Sequence, residues 1–215
     1  MPLSKRVLIT PPTEDVLTRD EVKQHLRVDF DDDNALIDGM ILAAVGQLDP
    51  AAGGWLGRAL RPQTWELQLR DFWQRDCGKP DLIVLPYPQL ISIDSVTYVD
   101  GTGATQTLAA GTGYRVLGQG ANQQAIAPPY GQSWPSVRCD AAAVKIRFTC
   151  GYPPADAQAD PPVIDRLPAA IKAWLKLYVG ALYQFRENVV SGPGGQPVEL
   201  PAHIMQMIST YRVYS

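Results

Sequence analysis

The acidic cluster at residues 29–33 is the group of side chains whose types and spacing come closest to a binding site. Its alternating aspartates match the first three ligands of an EF-hand calcium loop. The match then fails, because Asn34 stands where the loop needs glycine and Met40 stands where it needs a bidentate glutamate. We therefore predict that these carboxylates cap the next helix and interact with the positive end of its dipole. Calcium binding is the less favoured alternative.

The other side chains with reactive chemistry are few and widely separated. His25 and His203 each lie in a predicted amphipathic helix, which favours a surface or interface position over a catalytic base. Cys77, Cys139 and Cys150 are odd in number and form no CxxC pair, a pattern typical of reduced thiols in a cytoplasmic protein. No phosphate-binding loop, nucleophile elbow or zinc-protease motif occurs. We predict that the protein is not an enzyme, and we assign it no catalytic, cofactor-binding or metal-binding residue.

Composition narrows the class of protein further. The 215 residues are 46% hydrophobic and 19% charged, which is typical of a globular chain with a core. A net charge of -3 argues against a dedicated nucleic-acid-binding protein, because phosphate contacts need clustered lysine and arginine. No apolar run approaches the roughly 18–20 residues that span a bilayer. The apolar stretch near the N-terminus ends at Ile9, too early for a secretory signal. We expect a chain that acts without export or membrane insertion.

The hydrophobic period changes twice along the chain. Helical spacing up to Leu48 gives way to alternation at residues 65–69, and alternation at residues 144–148 gives way to helical spacing after Pro154. These changes predict an α+β fold, a mainly α helical bundle core with an inserted antiparallel β region. The predicted organisation is 1–62 as N-terminal core helices, 63–152 as the β-rich insert, 153–162 as a stiff linker, 163–191 as a long core helix and 192–215 as a flexible Gly/Pro stretch with a C-terminal helix.

Local signals predict where the helices and strands begin. Thr18 and Glu21 have capping-box spacing, and Asp49 with Pro50 can cap a short continuation of the second helix. Trp65 leads the alternating face and is predicted to be buried. The second helix is predicted to bury the apolar stripe Leu36, Ile37, Met40, Ile41, Ala44, Val45 and Leu48. Strands are predicted at residues 65–69, 82–85, 91–99, 106–108, 114–117 and 144–149, and a long helix at 168–185.

Several short segments occur in a distinctive order: residues 17–29 with the acidic cluster after them, 57–60, 63–67, 83–86, 93–98, 148–152, 167–171 and 183–187. In order and spacing they resemble the head–tail connector (adaptor) family of tailed bacteriophages and gene transfer agents, in its larger form with a β insert. The resemblance covers most of the chain. One departure is that the second helix of similar sequences runs unbroken into the turn at 57–58, whereas Asp49, Pro50, Gly53 and Gly54 interrupt it here.

The resemblance implies an architectural virion protein without catalysis or cofactors. Members of the family assemble in the host cytoplasm into a homo-oligomeric ring, a dodecamer, beneath the portal protein at the head–tail junction. The ring is a platform for tail, stopper or completion proteins, and DNA passes through its lumen without sequence-specific binding. The net negative charge fits such a channel, because a basic wall would bind phosphates and slow the passage of DNA.

The C-terminal stretch 200–215 is the predicted portal-binding site. It has a narrow apolar stripe at helical spacing and ends in aromatic and arginine residues, types that are enriched in interface anchors. The predicted site residues are Ile204, Met207, Ile208, Tyr211, Arg212 and Tyr214. The alternative is that this helix folds back onto the protein's own core in the free subunit.

Two other functions stay open at the level of sequence. One is a different neck or tail component, such as a completion protein. The other is a small enzyme whose active site lies in the β insert, which predicts a pocket holding titratable groups of shifted pKa.

Overall fold

Eight strands, four α-helices and one short 3-10 helix make up the described part of the chain. The computed structural model describes residues 4–72, 82–118, 120, 122–156, 158, 162, 164–185 and 202–214, with 202–205 described for the backbone only. The strands are β1 (Lys5–Thr10), β2 (Gln63–Leu69), β3 (Ile83–Leu85), β4 (Leu90–Val99), β5 (Thr105–Leu108), β6 (Arg115–Leu117), β7 (Gln124–Ala127) and β8 (Val144–Cys150). The helices are α1 (Arg19–Leu26), α2 (Asn34–Leu48), α3 (Ala169–Gln184) and α4 (Ala202–Ser209), with the 3-10 helix at Pro50–Ala52.

The predicted fold class, a mainly α helical bundle with a β insert, is wrong, because the described chain has eight strands in two antiparallel sheets beside its four α-helices. One antiparallel sheet has five strands in the order β1-β2-β8-β4-β5, and a second has three in the order β3-β7-β6. The sheet is also more than an insert, since β1 comes from the N-terminal region and pairs with β2. The long apolar helices have a strong periodic signal in the sequence. Strand pairing joins residues that are far apart in sequence, so it leaves no local signal.

The chain divides into two compact units. The sheet unit comprises Met1–Thr13, Arg61–Tyr152 and Ser215, and the helical unit comprises Glu14–Leu60 and Pro153–Tyr214. The predicted linker at 153–162 lies partly outside the described residues, as does the predicted core helix at its residues 163 and 186–191. The predicted flexible stretch 192–195 lies wholly outside them.

Strands β2 and β8 form the centre of the sheet unit. In their antiparallel register Trp65 is opposite Phe148 and Leu67 is opposite Ile146, and all four side chains are buried. Trp65 is 6% exposed, and its ring lies 4.6 Å from that of Tyr87. The prediction that this tryptophan is buried is therefore confirmed, and the alternating face of β2 is the core-facing one.

The polar face of β2 carries a cross-strand ion pair. Arg147 Nη2 donates to Glu66 Oε2 at 2.9 Å, and Gln68 Nε2 donates to Glu66 Oε1 at 2.8 Å. Burial by itself raises the pKa of Glu66, but the hydrogen bonds from Gln68 and Arg147 outweigh it and hold the pKa below the ordinary value. Glu66 therefore stays charged at neutral pH and acts as a structural ion-pair partner, not as a general acid.

Helix α3 is the central element of the helical unit. It contacts α1, α2 and α4 and buries Ile171, Trp174, Leu175 and Val179. Helix α1 begins with the predicted capping box, in which Thr18 and Glu21 each bond the other's backbone amide. That prediction is confirmed.

Asp49 joins the end of α2 to the segment that follows it. It is buried, its Oδ1 accepts from Ala51 N at 2.8 Å, and its Oδ2 accepts from Leu60 N at 2.9 Å. The predicted cap on the short continuation at Pro50 is therefore confirmed, and the second bond fixes the path of the chain toward residue 60.

Replacement of Asp49 by alanine is expected to lower the free energy of unfolding by about 1–3 kcal/mol, because the cap is lost and the buried Leu60 amide loses its acceptor. Chemical denaturation measures the change. The control is Asp49→Asn, which keeps one oxygen acceptor and should lose less. Equal stability of the alanine variant and the unmodified chain would contradict this role.

Candidate functional site

The acidic cluster is held by side chains of the helical unit. Asp31 accepts from Lys23 Nζ at 2.8 Å and from Asn34 Nδ2 at 3.1 Å, and the Tyr183 hydroxyl donates to Asp33 at 2.6 Å. The bond from Lys23 is the main cause that lowers the pKa of Asp31. Asp33 stands at the N-cap of α2 but makes no side-chain capping bond. The predicted cap is wrong here, because the carboxylate binds a tyrosine of α3 instead. Within the described ranges, no group of three metal-ligating side chains occurs.

The histidine and cysteine side chains do not come together in the part of the chain that is described. His25 is exposed on α1. Cys139 is an exposed thiol whose Sγ accepts from Arg70 Nη2 at 3.2 Å, and Cys150 is a buried thiol at the end of β8. Cys77 and the side chain of His203 lie outside the described residues.

The predicted portal-binding residues lie in what we call the C-terminal segment, residues 202–214. Helix α4 packs against α3, and Ile208 is fully buried. Tyr211 is half-buried, Arg212 is exposed, Met207 is 38% exposed and Tyr214 is 80% exposed. Ile204 lies in α4, where only the backbone is described. In the free chain this segment thus folds back onto the helical unit, and three of the predicted portal-binding side chains stay accessible: Met207, Arg212 and Tyr214.

Main-chain hydrogen bonds hold the end of the C-terminal segment. Val213 N donates to Leu56 O at 2.9 Å, and the buried Arg58 donates through Nε to Tyr211 O at 3.1 Å. Gly57 makes the close approach possible, since it has a φ of 67° and a Cβ there would lie 2.2 Å from Val213 O. This attachment was not predicted. Its one signal in the sequence is a Gly-Arg pair in a turn, which does not identify a partner 153 residues away.

Two aromatic rings flank the Arg212 guanidinium. The guanidinium carbon lies 5.3 Å from the ring centre of Trp55 and 4.7 Å from that of Tyr214. Both distances fall within the range of cation–π attraction. The contacts orient Tyr214 and Arg212 at the surface, where arginine and tyrosine are the residue types that most often dominate protein interfaces.

The outward face of α2 is a second surface, and sequence reasoning missed it. Leu36 was predicted to be buried but is exposed, and Leu42 is 75% exposed. Ile37, Ile41, Ala44 and Leu48 form the buried side. The error for Leu36 arises because α2 is apolar nearly all round, so that helical spacing alone does not decide which side faces the core.

Comparison with solved structures identifies chains with a similar fold. No protein-family model matches the chain, and a search of curated proteins found no match. Among solved structures, a chain from the neck of an empty GTA particle, computed with C6 symmetry, matches with a TM-score of 0.65 and 20% identity. A chain from the virion of a native gene transfer agent matches with a TM-score of 0.65 and 21% identity. A chain from the neck of a native GTA particle, computed with C12 symmetry, matches with a TM-score of 0.63 and 20% identity. Each match covers 99% of this chain and 96% of the other.

These matches show that the chain shares its whole fold with those particle components, across both the sheet unit and the helical unit. None of the helices described has the length and apolar character that crossing a membrane requires.

Proposed function

We propose that this protein is a structural component of the neck of a phage-like or gene transfer agent particle, located in the virion at the head–tail junction. The single observation that carries the proposal is the structural match along 99% of the chain to components of such particles. The match extends over both the sheet unit and the helical unit, so the proposal does not rest on a single shared subdomain.

Within the neck, the role is that of a head–tail connector. Copies of the chain form a ring, a dodecamer, between the portal protein and the tail or stopper proteins, and DNA passes through the ring. The C6 and C12 symmetries of the neighbours' particles support a ring. The net charge of -3 supports a lumen that does not retain DNA, since the 22 acidic side chains outnumber the 19 basic ones that could bind phosphates.

The proposal predicts binding to portal rings from the particle whose genes encode the chain. Sedimentation velocity of the purified chain, of the portal rings and of their mixture tests this prediction. We expect the chain to sediment with the portal at the stoichiometry of a closed ring. A chain that remains a 23.5 kDa monomer in the mixture would contradict the connector role.

For the portal contact we propose the C-terminal segment. The support is the accessibility of Met207, Arg212 and Tyr214, together with their residue types. Truncation after Gly195 is expected to abolish binding to portal rings. Tyr214→Ala is expected to weaken it about tenfold without changing the melting temperature, because the side chain is 80% exposed. Met207→Ser, at a side chain that is 38% exposed, is expected to weaken it by about the same factor with only a small loss of stability.

The matched control is Val116→Ser, because Val116 is 38% exposed, the same as Met207, but lies on β6 in the sheet unit. It should bind portal rings normally. Unchanged affinity of the truncated chain would show that the C-terminal segment is not the contact.

A further inference from the structure

The outward face of α2 has no charged residue. Its exposed positions are Ala35, Leu36, Gly39, Leu42, Ala43 and Gln47. Leu42 is 75% exposed, which is a large apolar side chain left in water. The one charged residue of α2, Asp38, lies at the edge of the face and is bound by Arg19. This helix face therefore has the composition of the centre of an interface, where charged residues are depleted.

Gly39 lies in the middle of this face, and no contact within the described residues accounts for a glycine there. Glycine in a helix interior is destabilising relative to alanine. A glycine at such a position therefore indicates close packing against another group. At the other helical glycines a Cβ would meet the chain's own atoms at ordinary contact distance, 3.5 Å from the Cβ of Ala52 at Gly46 and 3.7 Å from the Nε2 of His25 at Gly180. At Gly39 no atom lies within 4 Å of the position that a Cβ would take. The missing side chain thus leaves room for an atom from outside.

We infer that the outward face of α2 is the surface through which one copy of this chain packs against the next copy in the ring. The inference rests on the proposed connector function. A closed ring requires every copy to bury two different surfaces against its neighbours. Permanent contacts between copies are more apolar than transient ones. The uncharged face of α2 has this apolar composition. Leu36 and Leu42 pack against the neighbouring copy. The absence of a Cβ at Gly39 lets the backbone of that copy approach.

Sedimentation velocity of variants, alone and with portal rings, tests the inference. Leu42→Glu places a charge in the contact and is expected to weaken assembly between copies at least about tenfold. Gly39→Ala adds one methyl group to the same face. It should raise the melting temperature of the free chain, because alanine favours the helix, and yet reduce ring formation. A purely structural role of Gly39 in the subunit cannot produce those two opposite changes.

The matched control is Ile164→Glu, another apolar side chain of the helical unit that is 70% exposed but lies outside α2. It should form rings normally. If the unmodified chain forms rings and the Leu42 and Gly39 variants form them equally well, the inference fails while the connector function stands. If the unmodified chain forms no ring in either condition, both fail. A lower melting temperature of free Leu42→Glu would show that the chain itself covers this face, and would overturn the inference.

Discussion

Replacement of Trp65 by alanine is expected to lower the free energy of unfolding by about 3–5 kcal/mol, the range for a large buried aromatic residue. The indole is 6% exposed, lies opposite Phe148 across the strand pair, and contacts the Tyr87 ring. On the other side it is opposite Leu8 of β1. Its removal therefore leaves a cavity where three segments of the sheet unit meet. Denaturant titration followed by circular dichroism measures the loss.

Two further variants make the Trp65 result specific. Trp65→Phe keeps an aromatic ring in the cavity and loses the indole bond to Gln63, so it should cost clearly less than alanine. Tyr130→Ala removes an aromatic side chain that is 93% exposed in the same unit, and it should change stability by no more than about 0.5 kcal/mol. An alanine variant at position 65 that is as stable as the Tyr130 variant would contradict the burial of the tryptophan.

Replacement of Gly57 by alanine is expected to detach the end of the C-terminal segment and to cost about 2–5 kcal/mol. The φ of 67° is strained for any residue with a Cβ, and that Cβ would lie 2.2 Å from Val213 O. The chain can relieve the overlap only by moving residues 211–213 away. The bond from Val213 to Leu56 would then break, and the Val213 amide should exchange its hydrogen faster than in the unmodified chain.

Gly53→Ala is the matched control for this variant. Gly53 also has a positive φ, 84°, but nothing lies within 4 Å of a Cβ placed there. It should therefore cost only the backbone strain, about 1–2 kcal/mol, with normal protection of the Val213 amide. If the Gly57 and Gly53 variants lose equal stability, the close approach of Val213 is not what requires glycine at position 57.

Features of this fold that depend only on residues close together in sequence were predictable. The capping box of Thr18 and Glu21 lies within four consecutive residues, 18–21, and the alternation at residues 65–69 is a property of a single strand. Both predictions are confirmed. The cap of Asp49 on the turn at Pro50 is likewise local, although its second bond, to Leu60, could not be read from the sequence.

Features that depend on tertiary contacts were not predictable. β1 has three apolar residues in a row and pairs with a strand about sixty residues away, while β7 is rich in alanine and glutamine, which are poor strand signals. Asp33 has the type and position of a helix cap, yet Tyr183 takes its carboxylate. The exposure of Leu42 follows from which side of α2 meets α3. Because α2 is apolar nearly all round, periodicity does not determine that side.

Electron cryo-microscopy of the neck of the particle that carries this chain tests the central claim most directly. The reconstruction should contain a ring of twelve copies of the chain between the portal and the first tail or stopper protein. In that ring, Leu42 of each copy should be buried against the next copy, and the C-terminal segment should contact the portal. A neck without the chain, or one that holds a single copy outside any ring, would contradict the claim.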